Sequence, residues 1–175
     1  MENKIFGLFE KFKAMKLDTK LIGFELVDGI KTNLINDDLK YRVIARNGDT
    51  LFAFIEGYKD MVFVVDPIAK NGHKLYPIAN SFRTFLALVL SCGNTQIIQN
   101  MTVWDKHEYI NHIYRADLIN YVNSPEVLDI FFAIKFDLGI KEMSSPYEYI
   151  NFVVTSFDYE RYQNAFLYRY IDRKR

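Results

Sequence analysis

The segment 81–92, SFRTFLALVLSC, constrains the fold of this chain more than any other stretch. Its apolar residues recur at the spacing i, i+3, i+4 and i+7 of one helix face, at Phe82, Phe85, Leu86 and Val89. Leu88 and Leu90 widen this face until the helix is apolar nearly all round, which is typical of a buried helix. A membrane span needs about 20 residues, so this shorter segment predicts a helix at the centre of a protein core.

Short strand-like segments precede this helix. Alternating residues at 39–46 lead to Asn47-Gly48, a strong hairpin signal, and a returning segment follows at 50–56. The segment 61–65 is apolar on both faces, as a central strand is, and another strand signal falls at 74–78. Weaker signals fall at 21–27 and 30–35. The pattern predicts an antiparallel meander of about five or six strands packed against the central helix.

The remaining segments are mostly helical in pattern. An amphipathic segment at 2–16 is expected to dock on the core, and a membrane-surface anchor is the alternative for the same apolar stripe. Helix-start signals after the central helix predict helices at 105–121, 125–139 and 145–157. The segment 164–172 alternates like a late strand, with a helical turn as the alternative. Strands followed by helices indicate an α+β fold, and we expect a single domain over residues 1–175.

Two of these helices begin with capping-box spacing, at Asp105 and at Ser145, where the capping side chain is followed three residues later by Glu. The apolar stripe expected for the helix 105–121 consists of Tyr109, Ile110, Ile113, Tyr114, Leu118 and Tyr121. The stripe expected for the next helix consists of Val127, Leu128, Phe131, Phe132 and Ile134.

Composition narrows the classes of function. Lys and Arg together number 22 and so do Asp and Glu, and this zero net charge disfavours a nucleic-acid-binding protein. Cys92, the single cysteine, lies in the central helix, where we expect a buried apolar residue rather than a reactive thiol. An unpaired cysteine suits a reducing compartment, and charged residues near the N-terminus interrupt any signal-peptide core. We therefore expect a cytoplasmic protein.

Catalytic and metal-binding motifs do not stand out in the sequence. His107 and His112 are five residues apart, which is not the i, i+4 spacing of a helical metal pair. No phosphate-binding or dinucleotide-binding motif occurs, so we expect neither a metal nor a cofactor. The acids Glu56, Asp60 and Asp66 cluster around one hairpin end. We expect these acids to solvate the turn, and the carboxylate pair of a small enzyme is the alternative.

A protein-binding surface is the stronger expectation from the side chains. The turn 57–60 presents an aromatic ring beside two opposite charges, and Trp104 lies ahead of the Tyr-rich C-terminal helices. Tyr and Trp are enriched in protein interfaces and in their energetically dominant positions. The residues that we expect to contact a partner are Glu56, Tyr58, Lys59, Asp60, Asp66 and Trp104.

The segment 77–88, PIANSFRTFLAL, resembles the SUKH superfamily, whose bacterial members are mostly immunity proteins against polymorphic toxins. In that superfamily a strand ending in Pro-Ile/Val-Ala leads into a helix of the form Ser-Phe-x-x-Phe-Leu-x-Leu-Leu. The match covers residues 50–94, and the flanking regions match by element order. The Pro-x-x-Tyr/Phe-x-x-Phe-Leu helix that many members carry near the N-terminus is absent here, and the helical segment around 6–12 stands in its place.

The resemblance implies a non-enzymatic cytoplasmic protein that binds and neutralises a toxin domain, with no cofactor, nucleic acid or membrane involved. Members recognise very different toxins, so no binding residue transfers by motif. A regulatory or adaptor module, as in the fungal members, is the alternative within the same fold. A toxin gene immediately upstream would favour immunity, whereas polar groups clustered in one pocket would favour an enzyme.

Overall fold

The computed structural model describes residues 6–27, 41–65 and 75–158. The described chain begins with helix α1 (Gly7–Ala14) and a 3₁₀ helix (Thr19–Ile22). The strands are β1 (Glu25–Leu26), β2 (Tyr41–Asn47), β3 (Thr50–Ile55), β4 (Val62–Val65) and β5 (Leu75–Ala79). The helices that follow are α2 (Phe82–Cys92), α3 (Thr95–Asn100), α4 (Lys106–Ile113), α5 (Ala116–Val122), α6 (Pro125–Phe132), a π-helix (Ala133–Asp137) and α7 (Pro146–Ser156). The fold is α+β, as predicted.

The strands form one antiparallel sheet in the order β1-β2-β3-β4-β5, so the predicted meander is confirmed. The β2–β3 hairpin is also confirmed, although its two-residue loop is Gly48-Asp49, one position later than Asn47-Gly48. Gly48 has φ +58°, a conformation that such tight loops require and that glycine adopts at no steric cost. The predicted strand at 21–27 is reduced to Glu25–Leu26 after the 3₁₀ helix, and the segment 30–35 lies outside the described residues.

Alternation along the strands gives the sheet two apolar faces. The helix face, which α1 and α2 cover, carries Phe52, Phe54, Val62 and Val64. The back face carries Ala53, Ile55, Phe63 and Val65, packed with Tyr58 and Phe157. Every one of these strand residues is at most 3% exposed, so the central strands are buried on both faces, as their apolar runs predict.

Phe82, at the start of α2, is the centre of the core on the helix face. Its ring centroid lies 5.2 Å from that of Phe9 and 5.6 Å from that of Phe12, both in α1, and 6.1 Å from that of Phe54 in β3. Phe82, Phe9 and Phe12 are each at most 1% exposed. The apolar stripe of the first helix therefore docks on the core, as expected from the sequence.

The boundaries of α2 follow from its sequence. The Ser81 hydroxyl accepts a hydrogen bond from the Thr84 N–H at 3.1 Å, which satisfies one of the free donors at the helix N-terminus. Gly93 ends the helix with φ +82°, and its N–H donates to the Val89 carbonyl. Both the polar cap and the terminal glycine were predicted from the sequence.

Other helix predictions need correction. The helix expected over 105–121 is two helices, because Arg115 takes an extended conformation between α4 and α5 and its guanidinium pairs with Asp117 in the first turn of α5. The Asp105 capping box is present with both of its hydrogen bonds, whereas the Ser145 side chain makes no capping hydrogen bond. Helix α3 was not predicted. It begins because the Asn94 side chain accepts from the Ile97 N–H at 3.0 Å.

The helix expected over 125–139 is α6 followed by the π-helix, and it ends at Asp137. The possible late strand at 164–172 lies outside the described residues. None of the helices in the described ranges has the length and apolar character needed to cross a membrane.

Candidate functional site

The turn 57–60 joins β3 to β4 and was predicted to present partner-binding side chains. Its backbone is fixed by two hydrogen bonds, from the Tyr58 N–H to the Ile55 carbonyl at 3.1 Å and from the Met61 N–H to the Tyr58 carbonyl at 3.0 Å. Gly57 and Lys59 both have positive φ, of +91° and +53°. The left-handed region is uncommon for a non-glycine residue, so the conformation of Lys59 is imposed by this tight connection.

Tyr58 is half-buried against the back face of the sheet. Its ring lies edge-on to Phe63 of β4, with the centroids 5.6 Å apart, and 5.7 Å from Phe157, which follows α7. Phe63 and Phe157 are themselves 5.6 Å apart, so the three rings form one cluster. The side chain that the sequence placed at the rim of an interface therefore also joins the C-terminal end of α7 to the sheet.

Asp60 contributes to the N-terminus of α2. Its Oδ2 accepts a hydrogen bond from the Phe82 N–H at 3.2 Å, beside the Ser81 cap. A carboxylate is favoured at this end of a helix because the unpaired N–H groups carry partial positive charge. Asp60 thus links the turn to the central helix, a structural role that sequence spacing did not reveal.

Glu56 and Lys59 are the predicted charges that stay exposed on the turn. Asp66 lies outside the described residues. Among the residues that the structure describes, the acid cluster inferred from the sequence therefore consists of one exposed carboxyl, Glu56, and one helix-capping carboxyl, Asp60.

Trp104 precedes α4 and is half-buried on the other side of the molecule. Its ring stacks on the His112 imidazole with the centroids 4.1 Å apart and the planes 9° apart. Its carbonyl accepts a hydrogen bond from the Tyr147 hydroxyl of α7 at 3.2 Å. Trp104 packs against the core of the helix face, whereas Tyr58 packs on the back face, so the structure does not bring these two predicted residues into one site.

The two histidines that the structure describes, His107 and His112, each contact another side chain. His107 Nδ1 lies 3.1 Å from the Asn111 side-chain nitrogen, and His112 is stacked under Trp104. Over residues 6–27, 41–65 and 75–158, no group of three or more His, Cys, Asp or Glu side chains is arranged to hold a metal ion.

Several large apolar side chains on the helices are exposed, and sequence analysis placed some of them in buried stripes. Ile110, Tyr114 and Tyr121 are 39%, 73% and 40% exposed, contrary to the continuous stripe expected over 105–121. The predicted helix is divided at Arg115, and within α4 the buried position is Tyr109, so its neighbour Ile110 does not share the buried face. In the described ranges, the large apolar side chains that are more than half exposed are Val103, Tyr114, Phe132, Phe136 and Phe152.

Phe132 and Phe136 form the one stacked pair among these exposed rings in the described part of the chain. Their centroids are 5.8 Å apart with the planes at 30°, and the rings are 53% and 69% exposed. Phe132 was expected in the buried stripe. The true stripe is Val127, Ile130 and Ile134, each at most 2% exposed. Spacing alone contained this signal, because a helix that buries i, i+3 and i+7 turns residues i+5 and i+9 away from the core.

We call these two rings the Phe132–Phe136 pair. The backbone that carries them contacts the core and side chains of two other helices. Ile134, which lies between Phe132 and Phe136 in the sequence, is fully buried. The Lys11 ammonium donates a hydrogen bond to the Asp137 carbonyl at 3.1 Å. The Arg83 guanidinium of α2 donates to the Gly139 carbonyl at 3.2 Å. π-Helical turns are rare and occur frequently at functional sites. The two exposed rings are therefore presented from an anchored, unusual backbone.

In comparisons with known proteins, no family model, no curated protein and no solved structure matches this chain.

Proposed function

We propose that this protein acts by binding another protein, without turnover, and that its partner is a toxin domain that it neutralises. The observation that carries the binding proposal is the exposed Phe132–Phe136 pair. The toxin as partner rests on the resemblance of segment 77–88 to the SUKH superfamily.

The physical argument begins with exposed apolar area. Removing such area from water contributes about 25 cal/mol per Å², and aromatic rings are enriched at the energetic centres of interfaces. Two stacked rings that are 53% and 69% exposed offer this gain to a partner that covers them. Because Ile134 and the Lys11 and Arg83 contacts hold the backbone, binding would require little ordering of the segment, and this lowers its entropic cost.

The turn 57–60 is proposed as a secondary contact. The exposed charges here, Lys59 on the turn and Glu56 just before it, are suited to steering association, since rim charges change association rates more than affinity. Tyr58 is less suited to a test, because its ring supports Phe63 and Phe157 and its truncation would also disturb packing.

A regulatory or adaptor module remains the second interpretation of the same surface, with a different partner. The enzyme interpretation has less support from the site, because the Asp60 carboxyl is engaged by the Phe82 N–H at the start of α2.

The test is to co-express the protein with the product of the adjacent gene in growing cells, and to measure the binding of the purified pair by calorimetry. Wild type should protect the cells and bind. Phe136→Ser should weaken binding by about 30-fold or more, the factor that corresponds to a hot-spot loss of about 2 kcal/mol. Phe152→Ser removes a ring of similar exposure from α7, 62% against 69% for Phe136, and is the matched control, expected to bind like wild type.

The outcomes separate the interpretations. Unchanged binding by a folded Phe132→Ser/Phe136→Ser double variant would place the interface elsewhere. A wild type that binds a non-toxic regulatory protein and gives no protection would support the adaptor interpretation. Turnover of a small molecule that is lost in Glu56→Gln would support the enzyme interpretation.

A further inference from the structure

The exposed face of α6 and the π-helix carries a carboxylate one turn ahead of the Phe132–Phe136 pair. The buried side chains of this segment are Val127, Ile130 and Ile134. The exposed residues on its opposite side include Glu126, Asp129, Phe132 and Phe136. Residues three apart are neighbours on a helix surface, with about 5–6 Å between their Cβ atoms, so Asp129 lies beside Phe132.

The Asp129 carboxylate is the least compensated charge on this face. It makes no hydrogen bond or ion pair within the part of the chain that the structure describes. Glu126 makes none there either, but it lies in the first turn of α6. The unpaired N–H groups of that turn carry partial positive charge and compensate part of the Glu126 charge.

The cations around the ring pair do not neutralise Asp129. The Lys135 ammonium, which lies between the two rings in sequence, is paired with Glu142 at 3.0 Å. Lys11 and Arg83 contact the backbone at the C-terminal end of the π-helix and just after it. Negative charge is therefore uncompensated on the N-terminal side of the rings.

An arginine side chain of a partner matches both parts of this face. A guanidinium pairs with a carboxylate through two parallel N–H···O hydrogen bonds, and it also stacks on aromatic rings. Its aliphatic stem packs along apolar surface while the charged group reaches the carboxylate.

The structure contains the same combination with an arginine in place. The Arg42 guanidinium of β2 lies 5.4 Å from the ring centroid of Phe9 and 5.9 Å from that of Phe6. It also lies 2.8 Å from the Glu10 carboxylate. On α6 and the π-helix two rings and a carboxylate are again neighbours, and within the described ranges no arginine lies over those rings.

We propose that the partner of the Phe132–Phe136 pair presents an arginine beside an apolar side chain. The arginine contacts Asp129 and one ring, and the apolar side chain covers the rest of the pair. This inference rests on the proposed function, because it names the chemistry of the partner at the same surface. A second copy of this face would bring no uncompensated cation to Asp129, so a different protein is the expected occupant.

The test uses two fluorescein-labelled synthetic peptides. One forms an amphipathic helix of about 18 residues, or about five turns, with Leu on one face and Arg beside it. In the other, each Arg is replaced by citrulline, which has a similar shape and no charge. Wild type should bind the Arg peptide at least about fivefold more tightly than the citrulline peptide, measured by fluorescence anisotropy.

Two matched variants locate the preference for arginine. Asp129→Asn removes the charge with little change of shape, and it should reduce the preference below about twofold. Asp49→Asn makes the same change in the exposed loop between β2 and β3, and it should keep the preference. A preference that survives Asp129→Asn, or that Asp49→Asn reduces equally, would overturn the inference.

Salt provides a second measurement on wild type that does not depend on the folding of a variant. The preference should shrink as the salt concentration rises from about 0.1 M to about 1 M, because the Debye length falls from about 10 Å to about 3 Å. A preference that stays constant over this range would contradict the pairing with Asp129.

The outcomes separate this inference from the proposed function. Equal binding of both peptides by wild type, with loss of binding in Phe136→Ser, would support the docking surface and overturn the arginine. Unchanged binding of the Arg peptide by Phe136→Ser would overturn both. If neither peptide binds wild type, this inference fails, and the adjacent gene product still tests the proposed function. A dimer in sedimentation that Phe136→Ser abolishes would show that a second copy occupies the face, and this also overturns the inference.

Discussion

At the scale of single residues, side chains that are neighbours in the sequence have different structural roles. Tyr58, Lys59 and Asp60 are adjacent, yet one ring packs on the sheet, one charge is exposed and one carboxylate caps a helix. The partners that decide these roles, Phe157 and Phe82, are distant in sequence. Local pattern cannot supply such pairings, which is why the sequence identified the turn but not what each of its side chains does.

The sequence correctly predicted that Cys92 is buried, and this burial predicts that its thiol reacts slowly. Its side chain is 3% exposed, and burial raises the pKa of the thiol to about 12. At pH 8 about one molecule in 10⁴ would carry the reactive thiolate, against about a quarter for a free cysteine of pKa about 8.5. Native protein should react with a thiol reagent at least about 100-fold more slowly than urea-unfolded protein. Similar rates would show that the site is open.

At the scale of elements, the long apolar segment and the tight turn were predictable because their signals are local. The capped helix α2 and the β2–β3 hairpin follow from residues within a few positions of each other. The register shifts at Ile44 and Ile78 were not predicted. At each site one strand has an extra residue that has no partner on the neighbouring strand. Side-chain alternation does not specify where that extra residue falls. The break at Arg115 and the π-helix were missed for the same reason, since both interrupt an otherwise continuous apolar pattern.

The central position of α2 predicts the cost of truncating its core face. Leu86 is 0% exposed, so Leu86→Ala should lower the free energy of unfolding by about 2–5 kcal/mol, measured by urea denaturation. Leu90→Ala, on the same helix, should cost less because Leu90 is only half-buried and already borders a shallow open cleft. A loss below about 0.5 kcal/mol for Leu86→Ala, the size of an ordinary surface substitution, would show that α2 is peripheral.

At the scale of the whole molecule, the sheet separates two sides that sequence analysis treated as one surface. Alternation along residues 51–55 places Phe52 and Phe54 on one face of the sheet and Leu51, Ala53 and Ile55 on the other. The alternation does not say which face the helices cover, since both faces are apolar. Only the packing of α1 and α2 decides this, and it puts Tyr58 and Trp104 on opposite sides.

Ion pairs join elements across this architecture. Arg42 of β2 lies 2.8 Å from Glu10 of α1, and Arg46 of β2 lies 2.8 Å from Glu25 of β1. Hydrogen bonds from Arg46 and then from Lys20 lower the pKa of Glu25 from 4.5 to about 2. The pKa of Glu10 is also lowered, mainly by its hydrogen bond with Arg42. The folded protein therefore binds fewer protons than the unfolded chain as the pH falls below 4.5, and its stability should decrease over this range.

Glu25→Gln tests this linkage at the short edge strand β1. A carboxyl whose pKa is lowered by folding stabilises the protein above its unfolded pKa, and that contribution is lost as the pH falls through the folded value. Wild type should therefore be more stable than Glu25→Gln at pH 7, and the difference should shrink between pH 4.5 and about pH 2, followed by urea denaturation at each pH. In an Arg46→Gln background the same substitution should have a smaller pH-dependent effect, because the strongest hydrogen bond to Glu25 is already gone. A difference between wild type and Glu25→Gln that stays constant down to about pH 2 would show that the pair with Arg46 does not hold β1 in solution.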